Sequence, residues 1–386
     1  MIKPKLCNEQ MSDNIVSFRK RFFPDATDDQ WQSWKWQLQN RLDTPTKLAR
    51  IFELTDAEHT AFNNNRQRIP FAVTPYYMGV VTAVNQNNAL RKSVIPVADE
   101  FRCLADESGD PLTEEAHSPV PAIVHRYPDR VLFLATGQCA VYCRYCTRAR
   151  IFSQPLPAIS RTTHWKEGLD YISQNKQIRE VIISGGDPLL LENGTLKSLL
   201  QAIRQIPHVQ IIRLGTKIPI VLPQRITAEL VDMLRSFHPL IVSLHVIHPD
   251  ELTGDAAQAI TLLADGGIVI GSQTVLLRGV NDSASVIQTL MEGLLRLRVR
   301  PYALFQCDPI LGAGHFRTKL ETGINIIEEL RLRTSGYAIP HFIVDPPGGK
   351  VTLAPNTLVS KDCSGYKLRN WKGTQIEYAD PASGET

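Results

Sequence analysis

Six short β-branched runs, and the spacing between them, constrain the fold more than any other feature of this sequence. The runs 181–183, 209–214, 240–246, 268–277 and 302–306 begin about 30 residues apart, and the run 131–135 stands about 50 residues before the first of them. Amphipathic segments such as 194–205 and 228–236 lie between. Strands separated by helices at this interval read as consecutive βα units with a parallel sheet. Polar and reactive residues stand just after several of the runs: Cys139, Ser184-Gly185-Gly186-Asp187, Thr216, His245 and Asp308. The carboxyl ends of barrel strands carry active sites, so the fold class expected is α/β, a partial (β/α)6 TIM-type barrel. An open doubly wound sheet is the alternative.

The barrel is expected over residues 116–320, after a mostly helical, polar region at 1–115 and before a C-terminal extension at 321–386. In the first region, Asp28 and Asp29 followed by Trp31, Trp34, Trp36 and Leu38 predict one capped helix, and Thr44-Pro45-Thr46 starts another. Tyr76 to Val81 is apolar and is expected to pack on the barrel. Nothing there has catalytic spacing. In the extension, a helix is expected over 322–334, ended near Gly336, then a strand at 341–344.

Apolar residues at 43% and charged residues at 21% suit a globular chain. A net charge of +3 argues against a nucleic-acid partner. No apolar run is long enough for a membrane span, and the first thirty residues show no signal-peptide pattern. Seven cysteines, an odd number with three crowded together, point to a reducing cytoplasm and not to a disulfide scaffold.

Those three carry the strongest chemical signal. Cys139, Cys143 and Cys146 form a C-x3-C-x2-C run directly after a predicted strand. Soft thiolates suit iron–sulfur clusters and zinc. Three of them can hold three irons of a [4Fe–4S] cluster and leave the fourth open. Structural zinc would need another donor, for which His125 is conceivable, and a chance group of inert thiols is the bland reading.

The cysteine loop, with Ser184-Gly185-Gly186-Asp187 one strand later, resembles the radical S-adenosylmethionine (SAM) superfamily. There the open iron binds SAM, and one-electron reduction yields a 5′-deoxyadenosyl radical. Alone, the Gly-Gly-Asp segment would read as an ordinary turn.

Further stretches narrow the resemblance: 125–130 (HRYPDR), Thr147-Arg148, Trp34 to Leu38, Thr74 to Tyr77, Val221 to Thr227, Gln306-Cys307-Asp308, His315-Phe316-Arg317 and Phe342 to Lys350. They are similar to the lysine 2,3-aminomutase family over roughly residues 30–365. The resemblance implies three cofactors: a [4Fe–4S] cluster, SAM and pyridoxal 5′-phosphate (PLP). It implies cluster ligation by Cys139, Cys143 and Cys146, and PLP bound covalently by Lys350. Arg126, Arg130 and Tyr127 would hold the rest of PLP. Ser184, Gly185, Gly186, Asp187, His245 and Gln273 would contact SAM. Arg148 would bind the substrate α-carboxylate, and Asp308 and Asp345 its side-chain cation.

Each position also has a plain reading. Lys350 after a Pro-Pro-Gly-Gly turn could be solvated, and Arg126 and Arg130 could be surface charge or pair with Asp129. Gln273 and His245 could be satisfied polar groups, Asp308 a strand-end cap and Asp345 a turn residue.

The implied reaction turns L-lysine into β-lysine by hydrogen abstraction and 1,2-amino migration. Arginine as substrate, or a lysine of a translation factor, is the alternative. A small amino acid, a one-electron reductant such as flavodoxin or ferredoxin, and a homo-oligomer are expected. The chain departs from better-known members in two places. The turn before Lys350 is about two residues shorter, and only Cys363 stands where the well-known lysine enzyme binds structural zinc, so no such zinc site is expected. Cys7, Cys103, Cys307 and Cys363 are left as inert.

Overall fold

The computed structural model describes residues 9–64, 69–82, 89–153, 162–362, 365–370 and 372–378. One nine-stranded sheet runs in sequence order: β1 (Ile123–Tyr127), β2 (Arg130–Thr136), β3 (Glu180–Gly185), β4 (Ile211–Thr216), β5 (Leu240–His245), β6 (Val269–Leu276), β7 (Arg300–Gln306), β8 (His341–Val344) and β9 (Val351–Leu353). Every neighbour pair from β2 to β8 is parallel, while β1 and β9 pair antiparallel at the two edges. The edges do not join, so the barrel is partial.

The six expected strands stand as β2 to β7. The run 341–344 adds a seventh parallel strand beside β7, so the sheet crosses the boundary expected at 320. A hairpin was not foreseen before β2: Pro128-Asp129 is its turn, with Tyr127 opposite Arg130. Beyond β9 a second, three-stranded antiparallel sheet follows, β10 (Leu358–Asp362), β11 (Gly365–Arg369) and β12 (Gln375–Tyr378).

The helices that cover the barrel begin where hydroxyl caps place them. The side chains of Thr227, Thr253 and Ser283 accept from Leu230, Ala256 and Val286 amides. In the helix Asn193–Arg204, Leu196, Leu199, Leu200 and Ile203 fall on one face and are buried against the sheet. The expected helix 322–334 is Leu320–Arg333, and Gly336 opens a 3₁₀ turn instead of ending it.

In the N-terminal region the tryptophans sit on two helices, not one. Ser33 is extended, ends Asp28–Gln32, and caps Trp34–Gln39 through its side chain. The expected helix at Pro45 spans Pro45–Ala49 under a Thr44 cap. Helix Pro75–Thr82 buries Tyr76, Tyr77, Met78 and Val80 completely. Among the described residues, no helix is long and apolar enough to cross a membrane.

Candidate active site

The loop after β2 carries all three clustered cysteines, and the N-terminal region holds its backbone. The Arg41 guanidinium donates to the Cys139 carbonyl at 2.9 Å. The Tyr142 amide donates to Ala72 at 3.2 Å and the Arg144 amide to Ser93 at 2.9 Å. The Arg144 side chain is buried completely. It donates to Glu100 at 2.9 Å and to the carbonyls of Ile69 and Pro70 at 2.9 and 3.1 Å. The N-terminal region therefore fixes the loop.

The donor set fits an iron–sulfur cluster. Burial and the neighbouring thiols push Cys139 up and Cys146 to about 11, so a cationic core is what would draw these two into thiolate form. His125, the other donor that zinc could use, bonds the Tyr171 hydroxyl through Nδ1 at 2.7 Å and has no hydrogen-bond partner at Nε2. Among the described residues no three His, Cys, Asp or Glu side chains converge on a single-ion position. A [4Fe–4S] cluster does not ask for that, since each thiolate takes its own iron. Cys103 and Cys307 are in no disulfide; Cys7 and Cys363 lie outside the described residues.

The Gly-Gly-Asp segment ends β3 and binds the entrance of the cysteine loop. The Gly186 amide donates to Thr136 at 2.6 Å and the Asp187 amide to Gln138 at 2.7 Å. Gly185 has φ +120°, and a Cβ on Gly186 would stand 2.1 Å from the Gln138 carbonyl oxygen. Both glycines are required by this close approach. The Asp187 side chain is engaged within the fold. Its carboxylate accepts from the Leu189 amide at 3.1 Å, the Thr216 hydroxyl at 2.7 Å and the Lys217 amide at 2.7 Å. It ties β3 to β4.

Ser184, His245 and Gln273 gather over Gly215 in the barrel mouth. A Cβ on Gly215 would lie in ordinary contact, 3.5 Å from Ser184 Oγ and 3.8 Å from His245 Nε2. His245 opens onto this space and is exposed. Lost hydration and the Lys217 and Arg148 charges lower it to about 4, and Gln273 hydrogen-bonds to it. It is a neutral polar contact at physiological pH. Lys217 is itself paired with buried Glu251 at 2.7 Å, which also accepts from the Tyr77 hydroxyl at 2.6 Å.

The candidate PLP residues converge from both sheet edges. Arg126 and Tyr127 come from β1, Arg130 from β2, and Lys350 from the turn between β8 and β9. Gly348 and Gly349 take φ of +100° and +121°, which brings the Lys350 amide within 3.1 Å of the Tyr127 hydroxyl. Lys350 Nζ lies 5.6 Å from the Tyr127 ring centre and 3.1 Å from Asp345 Oδ2. Arg126 Nη2 is 3.1 Å from Asp345 Oδ1. Arg130 stacks over Tyr127 at 4.7 Å and pairs loosely with Asp129 at 3.5 Å. A lysine amine, two guanidinium groups and a phenol ring in one place are the donors that an aldehyde-bearing phosphate ester requires. The shortened turn still delivers Lys350 to them.

Asp308 follows β7 and faces the same place. Burial and the negative Asp345 push it up to about 7, against the pull of Lys350 and Arg126. Arg148 is not free. Its Nε and Nη2 donate to Glu114 Oε1 at 3.1 and 3.0 Å, and the other Glu114 oxygen takes Arg150 at 2.9 Å. Glu114, Glu100, Glu251, Lys217 and Arg41 escaped the sequence reading. Their partners stand far along the chain, and a lone charged residue carries no motif.

Comparison with known proteins decides the family. Residues 133–290 match the radical SAM superfamily and residues 327–385 match lysine-2,3-aminomutase. The L-lysine 2,3-aminomutase of Acetoanaerobium sticklandii is 42% identical over 95% of this chain and 89% of that protein. This chain belongs to the lysine 2,3-aminomutase family. The L-lysine 2,3-aminomutase of Clostridium subterminale is 43% identical over 95% of the chain and 88% of its own length. Within the family, the glutamate 2,3-aminomutase of Clostridioides difficile is 38% identical over 92% of the chain and 84% of that protein. Identities of 38% and 43% are too close to choose a substrate; the side chains at the site must do so. As a radical SAM aminomutase the protein is an isomerase, and its cofactors are a [4Fe–4S] cluster, SAM and PLP.

Proposed function

We propose that this protein is an L-lysine 2,3-aminomutase, converting L-lysine to β-lysine, with the roles distributed as follows. When bound, PLP and the SAM-loaded cluster supply the radical chemistry by which an amino group moves to the adjacent carbon. Cys139, Cys143 and Cys146 hold the cluster on a loop that Arg41 and Arg144 keep rigid. Ser184, His245, Gln273 and the Gly185-Gly186 backbone line the SAM side of the barrel mouth. Lys350 provides the amine for PLP, and Arg126 and Arg130 meet its anionic oxygens beside Tyr127. Arg148 holds the substrate α-carboxylate, while Asp308 and Asp345 meet its ammonium. These groups fix one orientation of the substrate and keep competing partners from it.

The convergence of Asp308 and Asp345 beside Lys350 and Arg126 carries the assignment of lysine. A buried cation requires anionic partners, and a second substrate carboxylate would meet two like charges instead. We further place the protein in a reducing, cytoplasmic compartment, where the ligand thiols stay free, as a homo-oligomer served by an electron carrier such as flavodoxin or ferredoxin.

The test is anaerobic turnover of protein reconstituted with iron, sulfide and PLP. It would receive SAM, dithionite and in turn L-lysine, L-arginine, L-glutamate and L-alanine, with products separated by mass spectrometry. β-Lysine alone is the expected product. Conversion of glutamate in preference to lysine would overturn the assignment.

A further inference from the structure

Glu114 stands at the end of a turn that the backbone adopts only with difficulty. Thr113, immediately before it, has φ +52°, in the left-handed region where a β-branched residue is an outlier. Such a conformation persists when its surroundings over-determine it, and it marks a place where function requires exact positioning. The surroundings here do so. The Asp110 carboxylate accepts from the Glu114 and Glu115 amides at 3.0 and 2.8 Å, and the Asp110 carbonyl from the Thr113 amide at 3.1 Å. The Glu114 carbonyl accepts from the His117 amide at 3.1 Å and from the Ser118 hydroxyl at 2.7 Å.

What the turn delivers is a carboxylate, buried to 3% exposure, against two arginines. One oxygen takes both Nε and Nη2 of Arg148, and the other takes Arg150. Two bonds from one edge of the guanidinium to a single carboxylate oxygen anchor that edge. They leave Nη1 of Arg148 as the nitrogen without a Glu114 contact. The negative charge of Glu114 also reaches Asp308, at the cation end of the same site.

We infer that Glu114 is a positioning residue for substrate recognition: it locks the Arg148 guanidinium so that its Nη1 side meets a single α-carboxylate, and it offsets the local positive charge so that a second carboxylate gains nothing. This rests on the assignment of Arg148 to the substrate carboxylate.

The test compares two ligands on the fully loaded enzyme. L-Lysine carries the α-carboxylate; 1,5-diaminopentane has the same chain and amines without it. Equilibrium binding of both is measured for Glu114→Gln, Glu114→Asp and Arg148→Ala, together with iron content and steady-state constants for lysine. For Glu114→Gln we expect lysine binding at least tenfold weaker and KM raised with kcat changed far less. Diaminopentane binding should stay within twofold, and iron content unchanged. Glu114→Asp, which keeps the charge, should fall between.

If both ligands weaken equally, Glu114 is merely structural and the inference fails. If Arg148→Ala weakens lysine selectively and Glu114→Gln does not, the inference fails and the role of Arg148 stands. If Arg148→Ala leaves lysine binding unchanged, the assignment beneath the inference is wrong. If Glu114→Gln does not fold, the Glu114→Asp comparison of the two ligands decides.

Discussion

The Lys350 ammonium lies 3.1 Å from one carboxylate oxygen of Asp345, and Arg126 lies 3.1 Å from the other. One buried carboxylate thus joins the candidate PLP lysine to a candidate PLP arginine. Asp345 does more than wait for a substrate cation: it sets the placement of both residues. Asp308 faces the same group without a direct ion pair to either.

The two aspartates should therefore separate under mutation. Asp308→Asn should weaken lysine binding while PLP loads normally. Asp345→Asn should weaken both, because Arg126 and Lys350 lose their common partner. Removing one side of a buried charge pair costs about 2–5 kcal/mol, so lysine affinity should fall by a factor on the order of 30 or more. Absorbance titration with PLP, then with lysine, checks both. Equal PLP affinity in the two variants would refute the bridging role of Asp345. Lys350→Ala should abolish covalent PLP with the iron content intact.

The pH dependence follows from Asp308, raised to about 7. Below that pH it is protonated and neutral; above it, the site presents a second anion to the substrate ammonium. Lysine affinity should rise with pH through about 7 and then level, and Asp308→Asn should remove the step. His245, lowered to about 4, stays neutral across this window and does not contribute. Stability has the opposite sign. The Asp308 contribution is full below the unfolded carboxylate value of about 3.9 and is lost as pH rises through the folded value. Calorimetric titration with lysine between pH 6 and 8, in the parent and the Asn variant, is the measurement.

Gly186 and Gly194 make a matched pair. A Cβ on Gly186 would meet the Gln138 backbone at 2.1 Å, with nothing flexible to yield, whereas one on Gly194 meets nothing within 4 Å. Gly186→Ala should drive β3 off the cysteine loop and lower iron content together with stability. Gly194 lies in the first turn of the helix Asn193–Arg204, where alanine is favoured by less than the roughly 0.5–1 kcal/mol of a helix interior. Gly194→Ala should therefore raise the melting temperature slightly and leave iron content unchanged. Thermal melts and iron assay report both.

Much of this architecture is legible in the sequence, for local reasons. The barrel strands are continuous β-branched runs, and the cysteine motif, the Arg126-Tyr127-Arg130 group and the Asp345–Lys350 pair are each compressed into a few residues. What the sequence hides is set by long-range partners. Arg41 reaches Cys139 across 98 positions and Arg144 reaches Glu100 across 44. The tryptophan run reads as one helix because its apolar spacing survives Ser33, yet that residue is extended. The Asp187 carboxylate is held by Thr216 and Lys217, which a sequence cannot place beside it.

Arg144 tests whether the N-terminal region serves the cluster. It sits between two candidate iron ligands, and its guanidinium is wholly enclosed by Glu100 and the carbonyls of Ile69 and Pro70. Arg144→Met keeps much of the side-chain volume and removes every one of these bonds. Leaving Glu100 without its partner should cost about 3–5 kcal/mol. The loss should concentrate where the loop meets the N-terminal region. Amides of 139–146 should exchange hydrogen faster, and iron content should fall, while the helices over β5 and β6 keep their protection. Hydrogen exchange of the parent and the variant, each with its iron content measured, checks this. A uniform rise in exchange across the barrel would mean that Arg144 supports the whole fold and has no particular bearing on the cysteine loop.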